Sequence, residues 1–189
     1  MPTALTTEQI EMPIPAPFFA HAVRTLKLDV LYRVYPSPTG VRFIKVGGEG
    51  GLARGIAGGL QSQGLLGALV AAPLLKRAAA RLETLAREYD AEDPRALATA
   101  HAGSFVAAPS DFLTSALDDE RTFGGNGPQY GVWNAELRNG EKLKLQFESL
   151  ADMRAAFESL PQAFGSNLTV NVTWNPTKGS FERRQSGAV

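Results

Sequence analysis

Three consecutive acids, Asp118, Asp119 and Glu120, open the polar glycine-rich stretch DDERTFGGNGPQYG and form the densest group of chemistry-bearing side chains in the chain. Paired carboxylates can move protons or hold a divalent cation. Three in direct succession point in different directions, which suits a solvated run better than a catalytic pair. With Tyr130 near the far end of the stretch they define a candidate loop site, Asp118, Asp119, Glu120 and Tyr130. Elsewhere the chemistry is thin. The chain has no cysteine, which excludes disulfides, thiolate catalysis and cysteine-ligated zinc. Its two histidines, His21 and His101, stand far apart without helical spacing and read as isolated surface or half-buried imidazoles, so no metal site is expected. Serines occur without a nucleophile elbow or a nearby histidine.

Gly48-Glu49-Gly50-Gly51-Leu52-Ala53 formally matches the dinucleotide fingerprint G-x-G-x-x-A. Three features oppose it: the preceding strand belongs to a hairpin, no acid follows about 20 residues on, and Glu49 would set an anion beside a pyrophosphate. No Gly-Lys-Ser/Thr follows, so a phosphate loop fails too. The sequence leans away from an enzyme, and no cofactor is expected.

The same glycines have another use. Gly47, Gly51, Gly55 and Gly59 recur every fourth residue, and the run from Gly55 through Leu75 carries no charge. In a helix they would line one nearly bare face, the geometry of close helix packing. Leu65, Leu66 and Leu69 complete the candidate association face. A plain flexible connection is the competing reading, because each glycine in a helix costs about 1 kcal/mol. The run is about long enough to cross a bilayer, but Gln61-Ser62-Gln63 and Pro73 interrupt it. An interfacial segment or a protein-packing face fits better.

Nineteen basic and nineteen acidic residues give zero formal charge, so no global footprint for nucleic acid exists. The N-terminus, acidic and proline-punctuated, lacks the basic start and apolar run of an export signal. A cytoplasmic protein, with peripheral membrane contact through the insertion as an option, is the expectation.

The elements that must position these residues follow in order. Residues 1–17 read as an extended arm, 18–175 as one α+β domain, and 176–189 as a disordered tail. Leu26 to Tyr35 alternates as a half-buried strand, Pro36 to Gly40 turns, and Val41 to Val46 returns as its hairpin partner. A helix is expected from about Pro73 to Tyr89, and a short one from Asp93-Pro94 through Ala100. Ser104 to Leu117 reads as two strand pieces broken at Pro109-Ser110. In GVWNAELRNGEKLKLQFE a two-residue Asn-Gly turn would scramble the apolar faces, because paired residues share a side. A three-residue loop, Arg138-Asn139-Gly140, pairs Ala135 with Leu143 and restores them, with Gly140 left-handed. Ser149 opens an amphipathic helix over Leu150 to Phe164, resembling a capping box with Asp152 in place of Glu, and Gly165 closes it. Asn167 to Asn175 alternates as a final strand.

With the insertion at about 47–101 set aside, Phe105, Pro109-Ser110-Asp111-Phe112, the Leu137 to Leu145 hairpin with Gly140 at its turn, and the helix Leu150 to Phe164 resemble a bacterial pleckstrin-homology-like domain of uncharacterised function. The resemblance implies a curved antiparallel sheet, a split barrel capped by one helix, with the helical insertion between the second and third strands. It also implies binding rather than catalysis. The basic lining of a phosphoinositide site is missing, so headgroup binding is not implied. The functional expectation is a binding or assembly module that uses the insertion to contact itself, a protein partner or a membrane surface. The alternative is a small-molecule or lipid binder, or a cryptic enzyme, built on the concave sheet and the 118–131 loop.

Overall fold

The computed structural model describes residues 15–23, 29–47, 76–77, 80–120 and 130–184. Ten strands occur among them: β1 Phe18–Ala22, β2 Val30–Tyr35, β3 Val41–Gly47, β4 Phe105–Ala107, β5 Phe112–Asp118, β6 Val132–Leu137, β7 Lys142–Phe147, β8 Thr169–Val170, β9 Val172–Asn175 and β10 Ser180–Arg183. Helices are α1 at 80–90, α2 Pro94–Ala100 and α3 Leu150–Phe164. Eight strands form one sheet in the order β4-β3-β2-β1-β7-β6-β5-β8, and β9 pairs with β10 in a separate ribbon. The class is α+β. The sheet is mixed rather than purely antiparallel, because β8 runs parallel to β5.

Ring contacts show how far the sheet curls. β3 and β6 are four strand intervals apart, which in a flat sheet would separate them by about 19 Å. Yet Phe43 of β3 stacks on Trp133 of β6 with centroids 5.8 Å apart. The side facing these rings is therefore concave. Phe18, Phe105, Phe112 and Phe164 join the stack, and Trp133, fully buried, donates its indole N–H to Ser115 Oγ at 2.8 Å. That bond satisfies the one polar atom the ring brings into the core. From α3, Met153, Ala156, Leu160, Ala163 and Phe164 close the concave side.

Several elements follow the local rules read from the sequence. Ser149 Oγ accepts from Asp152 N at 3.1 Å, and Gly165 ends α3 with a positive φ of 54°. Asp152 does not complete a reciprocal box. Its carboxylate instead accepts from the Phe19 amide at 2.7 Å and the Ser149 hydroxyl at 2.5 Å, tying α3 to β1. Ala135 faces Leu143, Leu137 N donates to Glu141 O, and Gly140 has φ 86°, so the three-residue loop stands.

Three expectations change. The sequence pattern assigns no element to residues 18–22, the first of the expected domain, yet Phe18–Ala22 is strand β1. It is paired on both sides, by β2 and β7, and all five residues are buried. Phe-Phe-Ala-His-Ala shows no alternation because both faces are covered. β1 also shifts the strand count, so the segment expected between the second and third strands follows β3 and precedes β4, the third and fourth strands. The final strand breaks at Asn171, whose amide donates to Leu117 O while its carbonyl accepts from Arg184 N. Residues 176–184, assigned to a disordered tail, form the turn and strand β10, with Phe181 packed on Trp174 and Phe157. Residues 1–14 and 185–189, and Leu26 to Leu28 of the expected first strand, lie outside the described residues.

Candidate functional site on the convex face

Asp118 and Glu120 are brought together, but by structural partners. Asn134 Nδ2 donates to both, at 3.3 Å to Asp118 and 3.2 Å to Glu120. Asn171 Nδ2 reaches the other oxygen of Asp118 at 2.6 Å, and Lys144 Nζ reaches the other oxygen of Glu120 at 2.9 Å. The hydrogen bond from Lys144, then that from Asn134, holds the Glu120 carboxyl below its usual range. Asp119 is half-exposed, and Tyr130 packs against the concave core. Next to it Gly131 has φ 109°, and a Cβ there would lie 2.8 Å from Asp118 O. The loop between, at 121–129, is outside the described residues. So are Gly51, Gly55, Gly59, Leu65, Leu66 and Leu69. Gly47 is described as the last residue of β3.

Strand register links the two sequence-derived candidates. Gly47 pairs with Leu31, Leu31 with His21, His21 with Gln146, Gln146 with Val132, and Val132 with Asp118. Residues paired in this way share a face, so one row crosses five strand boundaries from the start of the insertion to the acidic loop. It lies on the convex side, opposite the ring stack. Leu31, His21, Gln146 and Val132 are buried there, and none of the four belongs to the ring-lined cluster of the concave side as the described residues define it.

His21 sits midway. Far from being a surface imidazole, it is 2% exposed, and its Nδ1 lies 2.5 Å from Glu148 Oε1. A carboxylate at that distance makes Nδ1 the donor, which in a neutral ring leaves Nε2 an acceptor. Nε2 is buried and has no hydrogen-bond partner among the described residues. His101 is half-buried, with Nδ1 3.5 Å from the Tyr89 hydroxyl. Among the described residues no group of three histidines and acids is placed to hold a metal ion.

One strand over, Arg33 is buried and lies 4.5 Å above the Phe19 ring. Its Nη2 and Nε donate to the two oxygens of Asp90 at 2.7 and 3.2 Å, and the Tyr35 hydroxyl adds a third bond at 3.0 Å. Burial, then the Asp90 carboxylate, pushes the Tyr35 phenol far above its ordinary range, so it stays a donor. Asp90 ends α1, so this bidentate pair fastens the end of that helix to β2. α2 lies over β3, burying Leu97. Neither His21 nor Arg33 was nominated from the sequence. The signal for Arg33 was its place in an alternating strand whose second face is also buried, which alternation cannot reveal.

No family model, curated protein or solved structure matches the chain. Among the described residues no helix is long and apolar enough to cross a membrane.

Proposed function

We propose that the chain is a non-catalytic assembly module in which the segment at 48–75 mediates self-association through its small-residue face. The carrying observation is the anchoring of that segment's surroundings. It leaves from Gly47, paired to Leu31 of β2, and the arm that follows it is fastened to Arg33 and Tyr35 of the same strand. The 42 residues between Gly47 and Asp90 are held at both ends by one strand, and a stretch within them that is uncharged from Gly55 through Leu75 is suited to presenting a contact surface. Two of the three acids that read as a catalytic or ligand cluster, Asp118 and Glu120, have their oxygens engaged by Asn134, Asn171 and Lys144, and the concave face is filled by aromatic rings. Both observations favour assembly over a pocket. We read the curled sheet capped by α3 as a variant of the pleckstrin-homology-like plan, used for binding, in a cytoplasmic setting.

The test is excision of Gly48 to Gly67 with a short polar replacement, followed by light scattering. The intact chain is expected above its 20.2 kDa monomer mass and the excised chain at it, with an unchanged β-sheet circular dichroism signal. An intact chain that is already monomeric, or an excised one that keeps its oligomeric mass, refutes self-association. Vesicle partitioning lost on excision, without any change of mass, would assign the surface to a membrane instead.

A further inference from the structure

We propose that Arg33, Tyr35 and Phe19 form a carboxylate-binding site on β1 and β2 that Asp90 occupies in cis, and that an acidic side chain of a protein partner displaces it. The proposal rests on the reading of this chain as a protein-binding module and names the chemistry of one contact. Arg33 presents its planar fork with Nε and Nη2 both on the carboxylate, the geometry that recognises a carboxylate in two parallel bonds. The Phe19 face 4.5 Å away fixes the plane of the guanidinium. Tyr35 O–H supplies a third donor from the side. Arg33 and Phe19 belong to the sheet, whereas the carboxylate comes from an inserted arm.

The placement of Asp90 is locally unfavourable, and that is informative. An acid in the last turn of a helix opposes the helix dipole, and Glu88, Glu92 and Asp93 crowd further negative charge around it. Propensity does not account for an acidic helix end here. Attraction to Arg33 does. A buried guanidinium that loses its hydrogen-bonded anion is costly, and with Asp152 acting on Arg33 only through its charge, departure of Asp90 leaves the Nε and Nη2 donors in need of another carboxylate. Asp90 itself is 38% exposed, so an incoming acid can approach the same donors from solvent as Asp90 withdraws. The cis segment Glu88-Tyr89-Asp90-Ala91-Glu92-Asp93 shows the kind of sequence the site accepts.

The experiment is chemical rescue in the full chain. Asp90→Ala should lower the melting temperature, and sodium acetate should restore a few degrees of it, saturably, relative to chloride at matched ionic strength. Wild type should show no acetate-specific gain, and Arg33→Met in the Asp90→Ala background should abolish it. A synthetic EYDAED peptide should bind Asp90→Ala roughly tenfold or more tightly than wild type, the difference made by about 1.4 kcal/mol. If Asp90→Ala does not fold, Asp90→Asn is used, with a smaller acetate gain expected. No acetate-specific gain in a folded Asp90 variant, or an equal gain in wild type, overturns the site. An equal gain with phosphate overturns the carboxylate assignment. Rescue is read on a monomer as well as on an oligomer, so its failure is separate from failure of self-association.

Discussion

At the scale of single residues, two glycines with similar backbone angles separate conformational strain from collision. Gly140 has φ 86° in the β6–β7 loop, and nothing lies within 4 Å of a Cβ added there. Gly131 has φ 109°, and the same atom would meet Asp118 O at 2.8 Å and Met153 Cε at 3.2 Å. Gly140→Ala therefore meets only the left-handed penalty, about 1 kcal/mol. Gly131→Ala adds a clash with fixed backbone and is expected to cost roughly 3 kcal/mol or more, at the upper end of strained backbone positions. Urea midpoints of the two variants check this, and equal losses would show that the Asp118 carbonyl yields. Gly140 could be found from sequence because hairpin register depends on nearest neighbours. Gly131 could not, since its constraint comes from β5 and α3. His21 was misjudged for a related reason: its partner Glu148 lies 127 positions away.

At the scale of elements, the junction of α3 with β1 couples folding to pH through Asp152. Burial is the largest influence on this carboxyl and raises it above its usual range, against hydrogen bonds from Ser149 and Phe19 and the charge of Arg33. An acid raised in the folded state binds its proton more tightly there than in the unfolded chain. Stability from this group therefore grows as pH falls through the folded value towards the ordinary aspartate value of 3.8, and the ionised form is penalised above it. Glu120 has the opposite sign. It is held down by Lys144 first, so its contribution is present above the ordinary glutamate value of 4.5 and fades as pH falls through the lower folded value. The stability of wild type relative to Asp152→Asn should rise on acidification from neutral pH towards pH 3.8. The same comparison with Glu120→Gln should fall below pH 4.5. Denaturant titrations across that range measure both, and a flat Asp152→Asn difference would contradict the burial argument. The α3 cap was legible because Ser149 and the stripe Met153, Phe157, Leu160 and Phe164 are local. The use of Asp152 by β1 was not, because β1 itself gave no periodic signal.

At the scale of the whole molecule, local periodicity yielded the α+β class and most of the strands. It could not yield the strand order. The contact of Phe43 with Trp133 that defines the curl joins residues 90 positions apart, and the short β8 pairs parallel with β5 only after α3 has crossed the concave side. The chain end was misread for the same reason. Ser180-Phe181-Glu182-Arg183 is too short and polar to announce itself, yet it pairs residue for residue with Val172 to Asn175. Its Phe181 lies 5.1 Å from both Phe157 of α3 and Trp174, on which Arg154 also rests at 5.7 Å. Removing residues 176–189 would expose Trp174 and the outer edge of Phe157 and leave β9 without a partner. Loss of one half-buried aromatic and its ring contacts corresponds to about 2 kcal/mol. Chain truncation after Asn175 should therefore lower the denaturant midpoint while leaving Trp133 and the concave core native. Phe181→Ala should reproduce most of the loss with the ribbon backbone retained. A truncated chain as stable as the full one would mean that β9–β10 is an appendage rather than the outer wall of α3.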